Sequence, residues 1–204
     1  MALISHTKIK IFMFLVIVFI IFQFLKFLPW LQLTKKSVPD YNSGSSLVAP
    51  VSVTVFYEAL CPDSKNFIIK HLLPTVNRAS RLLNVTLVPY GKAQTEINND
   101  GNFLFSCQHG PIECAANKIH ACSISKITNQ VLQIKYVSCM ISDNIIPELI
   151  GEKCAKELLI DWKPISDCSQ SDLGNVLLSN YGKLTHSLHP KIDFIPTVLI
   201  NNVS

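Results

Sequence analysis

Beyond residue 50 the sequence has no excess of charge of either sign. Five lysines (Lys8, Lys10, Lys26, Lys35 and Lys36) lie in residues 1–50 against one acid, Asp40, which leaves thirteen bases and thirteen acids in residues 51–204. Neutralising phosphates takes clustered Lys and Arg, so nucleic acid has no support as a partner. Internal repeats are missing, which excludes a repeat array. No paired C-x-x-C knuckles occur, so the standard zinc-ribbon pattern is excluded as well. No clear small-x-small cleavage site follows the N-terminal apolar run closely.

That run is the first positive feature. Ile11 to Phe22 is unbroken apolar sequence, preceded by Lys8 and Lys10 and continued past Lys26 to Leu31. A basic flank before a short apolar stretch reads as a secretory signal; if Lys26 and Pro29 are tolerated near the interface, residues 11–31 approach the ~20 residues that span a bilayer. Residues 1–31 are therefore read as a signal peptide or a signal anchor, with Trp30 suited to a membrane interface. Either reading sends the remainder into the lumen. Residues 32–50, with Pro39, Gly44, Pro50 and several serines, read as a linker, and a domain follows over 51–204.

The cysteines agree with a lumenal chain. There are seven: Cys61, Cys107, Cys114, Cys122, Cys139, Cys154 and Cys168. In an oxidising compartment most should pair, and an odd count leaves one thiol free. Asn84-Val85-Thr86 is a glycosylation sequon; Asn202-Val203-Ser204, at the last residue, is a poor one.

Val51 to Tyr57 is β-branched and aromatic and predicts a strand. Cys61-Pro62-Asp63-Ser64 opens a helix, with Phe67, Ile68, Leu72, Leu73 and Val76 at helical spacing. Pro62 suits the first helical position, and Pro74 is expected to kink or end the helix. A second strand is predicted near 84–90, then a polar loop over 91–106. Helical pattern runs from Ile112 to about Leu188, broken near Ser142–Pro147 and Asp161–Ser169. Phe194 to Ile200 reads as a loop, Pro196 and a third strand. Strand, helix, strand argues for a parallel sheet with right-handed crossovers. Such a sheet would want another strand and a closing helix after residue 204, so a truncated or divergent terminus is expected.

Cys61 is the sharpest chemical feature. A cysteine where a strand leads into a helix lies against unpaired N–H groups and the positive helix end. Both favour the thiolate, which is the nucleophile, while Asp63 opposes it. The bland alternative is half of a structural disulfide.

Cys107-Gln108-His109-Gly110, followed by Glu113-Cys114, Asn117 and Cys122, weighs against that alternative. Together with Tyr57-Glu58-Ala59-Leu60-Cys61-Pro62 and Asn84 to Gly91, these residues resemble the gamma-interferon-inducible lysosomal thiol reductase family over roughly residues 51–201. The resemblance implies an α/β thioredoxin-like fold with an inserted helical subdomain (about 91–190). It implies reduction of protein disulfides in the endosomal and lysosomal pathway, with Cys61 reactive. It also implies that Ile195–Pro196 is the cis-proline loop facing the active site. No metal or organic cofactor is implied. The partners implied are disulfide-containing polypeptides and a small-molecule thiol as reductant, with the membrane added if the N-terminal segment stays uncleaved.

One position departs from the family. Its reductases carry a second cysteine three residues after the first, and here that position is Ser64. Exchange proceeds through a mixed disulfide that a second thiol resolves. Ser64 cannot resolve it, but a hydrogen bond from Ser64 to the Cys61 thiolate is expected. The catalytic set is thus Cys61, Ser64 and Pro196, in a one-cysteine mechanism. The rival function is a thioredoxin-fold protein that binds polypeptides without turnover, and a third is a purely structural anchored protein.

Cys107, His109, Cys114, His120 and Cys122 also form a rival set of soft metal ligands. Their spacing fits no standard zinc pattern, and disulfides among Cys107, Cys114, Cys122, Cys139, Cys154 and Cys168 are preferred, in one of about 15 pairings. On a helix Glu113, Asn117 and His120 share one face, which suits a hydrogen-bonded buttress. His71, His186 and His189 read as surface or cap residues, and Trp162 as a packing aromatic.

Overall fold

The computed structural model describes residues 6–32 and 49–203. Residues 33–48 of the expected linker, the side chain of Trp30 and the final residue of the second sequon lie outside the described residues. The chain divides into two compact units, Met1–Leu47 and Val48–Ser204.

The first unit contains α1 (His6–Gln32), a helix of 27 residues. Its side chains from Ile11 to Phe22 are exposed. Among the described residues no helix is long and apolar enough to cross a membrane. The signal-anchor reading is therefore unsupported.

The second unit is built on a sheet of order β2-β1-β5. β1 (Val51–Tyr57) is central and runs parallel to β2 (Leu83–Pro89), in register from Val51 opposite Leu83 to Tyr57 opposite Pro89. β5 (Thr197–Ile200) pairs with the other edge of β1 and runs antiparallel, Phe56 opposite Thr197 and Val53 opposite Ile200. The parallel expectation thus holds for β1 and β2 and fails for β5. Alternation of side chains is the same for either strand direction, so the pattern could not have told them apart.

The crossover from β1 to β2 is helical. α2 (Pro62–Phe67) passes through a π-helical turn (Ile68–Leu72) into α3 (Leu73–Ala79). Pro74 neither ends nor interrupts the helical run. Proline removes one N–H and crowds the preceding turn, and the wider π turn before it is the kind of adjustment that accommodates this. Ile68, Leu72 and Val76 are buried against Val55, Tyr57, Val85 and Leu87 of the sheet and against Ile134, Val137 and Ile141. Each such side chain contributes about 1.5–3 kcal/mol.

Residues 91–106 hold a hairpin where a loop was expected. β3 (Gln94–Ile97) and β4 (Phe103–Ser106) pair antiparallel. The turn between them is organised by Asn98, whose Oδ1 accepts the N–H groups of Asp100 and Asn102, and Gly101 supplies a φ of 81°. The helical segment comprises α4 (Pro111–Lys126), α5 (Gln130–Ser142), α6 (Pro147–Glu157), α7 (Lys163–Ser169) and α8 (Asp172–His186). The expected break at 142–147 is present. The break expected at 161–169 instead holds α7, and an unforeseen one at residues 127–129 is capped by Asn129, whose side chain accepts Leu132 N–H.

Three disulfides staple this subdomain: Cys122–Cys168, Cys139–Cys154 and Cys107–Cys114. The first two lie in one apolar cluster with Ile119, Tyr136, Met140 and Ile165, against which Trp162 packs. Cys61 is the free cysteine.

Candidate active site

The site forms where β1 ends. After Tyr57 the chain crosses Glu58, Ala59 and Leu60 and enters α2 with Cys61 at the N-cap and Pro62 at the first helical position. Lys65 N–H returns to the Cys61 carbonyl at 3.0 Å, which closes the first turn. Cys61 is 8% exposed, and its Sγ lies 3.8 Å from the Ile195 carbonyl oxygen. The Ile195–Pro196 bond is cis. The structure therefore brings Cys61 and the Pro196 loop together across the β1–β5 edge.

Ser64 is fully buried one turn along α2. Its Oγ accepts the Glu58 N–H at 3.2 Å. No hydrogen bond joins Ser64 to Cys61 among the described residues, so the expected contact is corrected. Ser64 faces back toward the strand–helix loop and stiffens it.

The rest of that loop is held by α4 and by the α5–α6 connection. Asn117 Oδ1 accepts Ala59 N–H at 2.9 Å, and Glu113 Oε2 accepts Leu60 N–H at 3.3 Å. Asn144 Nδ2 donates to the Ala59 carbonyl at 3.0 Å. His120 Nδ1 lies 3.0 Å from Tyr57 Oη, and its Nε2 lies 3.4 Å from Asn144 Nδ2. Glu113, Asn117 and His120 thus form the buttress that their spacing suggests. Asn144 can only donate through Nδ2, so His120 Nε2 accepts and Nδ1 carries the proton toward Tyr57. Burial holds His120 neutral, with its pKa lowered to about 3.

The Cys-Gln-His-Gly segment closes over Glu58. His109 Nδ1 lies 2.6 Å from Glu113 Oε2 and 3.5 Å from Glu58 Oε2. Glu58 Oε1 accepts Lys92 N–H at 2.7 Å. Burial raises the Glu58 carboxyl above its usual range, against the lowering effect of the Lys92 hydrogen bond. Gly91 has a φ of 58°, and a Cβ there would fall 2.2 Å from Glu58 Cγ, so the backbone turns against this carboxylate where a side chain would not fit.

The thiol-rich metal set is not brought together. Its cysteines all lie in disulfides, and His120 is committed to Tyr57 and Asn144. Among the other residues singled out from sequence, Asn84 is exposed in β2 with Thr86 exposed beside it, and His71, His186 and His189 are exposed. Glu58 and Asn144 were not identified from sequence. Glu58 stood within the quoted Tyr57 to Pro62 segment, whereas nothing local marks Asn144, whose partner Ala59 lies 85 residues away.

The family model of gamma interferon inducible lysosomal thiol reductase (GILT) matches residues 52–158. GILT-like protein 1 of Drosophila melanogaster is 35% identical over 170 residues, covering 75% of this chain and 66% of that protein. The gamma-interferon-inducible lysosomal thiol reductase of Mus musculus is 34% identical over 154 residues, covering 74% of this chain and 61% of that protein. The chain thus spans somewhat less than two thirds of the length of these relatives. Among solved structures, Chlamydia trachomatis DsbA superposes with a TM-score of 0.55 at 15% identity, over 74% of this chain and 76% of that one. That likeness establishes the α/β thioredoxin-like fold, here with its inserted helical subdomain. By the extent of the family match and the identity to its relatives, the chain belongs to the gamma interferon inducible lysosomal thiol reductase family.

Proposed function

We propose that the chain is a thiol-disulfide oxidoreductase of the secretory and lysosomal pathway that works through Cys61 alone. The observation that carries this is the free Cys61 at the head of α2, 3.8 Å from the carbonyl that precedes Pro196, while the other six cysteines are paired. The Cys61 thiolate attacks one sulfur of a substrate disulfide. A Cys61–substrate mixed disulfide forms, and the other substrate sulfur leaves as a thiolate. A small thiolate then attacks Cys61 Sγ and releases the second substrate sulfur. A second small thiol frees Cys61 and leaves as the oxidised small-molecule disulfide. Ser64, fully buried and bonded to Glu58 N–H, takes no part in the exchange.

Three disulfides and an exposed sequon support a lumenal location. Asn84 is then a glycan acceptor, and glycosidase treatment of protein made in a secretory host should shift its mobility. The buried Ser64 favours a second reading, a protein that holds disulfide-containing polypeptides without turning them over. Reductase assays with Cys61→Ala and with graded small thiol separate the two. Turnover that requires Cys61 and scales with thiol supports the enzyme. Substrate capture that survives Cys61→Ala supports the binder.

A further inference from the structure

The cluster of Glu58, His109 and Glu113 is not used by the exchange chemistry at Cys61. Two buried carboxylates meet one imidazole there, so with both acids ionised the cluster keeps an uncancelled negative charge even when His109 is protonated. Each carboxylate is oriented by a backbone N–H on one oxygen: Lys92 on Glu58 Oε1 at 2.7 Å, and His109 on Glu113 Oε1 at 3.0 Å. The other oxygens turn toward His109 Nδ1, at 3.5 Å from Glu58 and 2.6 Å from Glu113. Glu58 is 1% exposed, and its Oε2 has no hydrogen-bond partner. A buried oxygen aimed into a cluster and left without a donor calls for a cation or proton beside it.

The geometry points to a divalent transition-metal site formed by Glu58, His109 and Glu113, which takes a zinc-class ion through two carboxylate oxygens and one imidazole nitrogen. One ligand atom from each residue lies within 4.8 Å of the other two. Spacings of this size let one ion reach all three at the ~2.0–2.2 Å of zinc–nitrogen and zinc–oxygen bonds with small side-chain adjustments. The ion's charge balances both carboxylates and gives Glu58 Oε2 its missing partner. The imidazole selects zinc, iron, copper or nickel over magnesium and calcium. The backbone bonds on the remaining carboxylate oxygens supply the outer orienting contacts that metal ligands need. Three protein ligands leave a further position open on the side of His109, which is 34% exposed. Glu58 precedes Cys61 by three residues, and Glu113 Oε2 also accepts Leu60 N–H. A bound ion would therefore pin both ends of the Cys61 loop to α4.

The test is a cobalt titration of the full chain, stripped with chelator and with Cys61 alkylated so that its thiol cannot compete. One equivalent of Co²⁺ should saturate the parent, with visible ligand-field bands and no thiolate charge-transfer band, and Zn²⁺ should displace it. His109→Ala should weaken Co²⁺ binding by at least about tenfold and abolish the zinc-dependent rise in Tm seen in the parent. If His109→Ala fails to fold, His109→Gln carries the same comparison. Failure of the parent to saturate, or equal affinity in the folded His109 variant, overturns the site. Because Cys61 is blocked throughout, neither outcome depends on reductase activity.

Discussion

Tyr57 Oη and His120 Nδ1 lie 3.0 Å apart with both side chains fully buried, one at the end of the central strand and the other on α4. The pair joins the sheet to the helical subdomain directly beneath the loop that carries Cys61. It also sets a cost at low pH. His120 is neutral when folded, with a pKa lowered from 6.5 to about 3 by burial. The unfolded chain therefore binds a proton that the folded chain does not anywhere between these values. Above pH 6.5 the difference vanishes; below it, stability is lost as pH falls, by roughly 1.4 kcal/mol per unit, until about pH 3.

His120→Gln removes that titration. Its stability deficit relative to wild type at neutral pH should shrink on acidification, by roughly 2 kcal/mol between pH 6.5 and 5. Urea unfolding of both proteins at the two pH values measures this. An unchanged deficit would mean that His120 is not held neutral.

Asn144→Ala should destabilise the fold by about 1–3 kcal/mol, because it strips a donor from the buried Ala59 carbonyl and from His120. It should also speed alkylation of Cys61, since the loop between Glu58 and Cys61 loses one of its restraints. Alkylation kinetics under native conditions, alongside unfolding, report both effects. A rate equal to that of wild type would show that Asn144 does not position the loop.

Native labelling with a thiol reagent should modify Cys61 and no other cysteine. Replacing Cys139 and Cys154 together by Ala opens a loop with a sequence separation of 15, and the chain-entropy account predicts a loss of about 3 kcal/mol. Mass spectrometry and urea unfolding check the two statements. More than one labelled cysteine in the native protein would contradict the pairing.

The parts of this site that read from sequence are those encoded locally. A strand, a cysteine and a proline opening a helix placed Cys61 at the N-cap, and offsets of 0, 4 and 7 put Glu113, Asn117 and His120 on one face of α4. What did not read was set at long range or by weak local signals. Asn144 acts across the sequence on Ala59, and the Ser64 hydroxyl chose the Glu58 N–H over the Cys61 sulfur because α2 turns it toward the end of β1. The hairpin of β3 and β4 has four-residue strands with one largely exposed face, so neither composition nor alternation marked it, although Asn98 to Gly101 held its turn.

The central claim is that Cys61 exchanges disulfides without a resolving partner, and Ser64→Cys tests it most directly. A cysteine one turn along α2 would attack the mixed disulfide at high effective concentration, which an alcohol cannot do. Insulin or peptide disulfide reduction is measured for wild type, Ser64→Cys and Cys61→Ala across a range of small-thiol concentrations. The account predicts wild-type turnover that rises with added thiol, a faster Ser64→Cys that depends on thiol less, and no turnover in Cys61→Ala. No gain from Ser64→Cys, together with unchanged activity in Cys61→Ala, would contradict it.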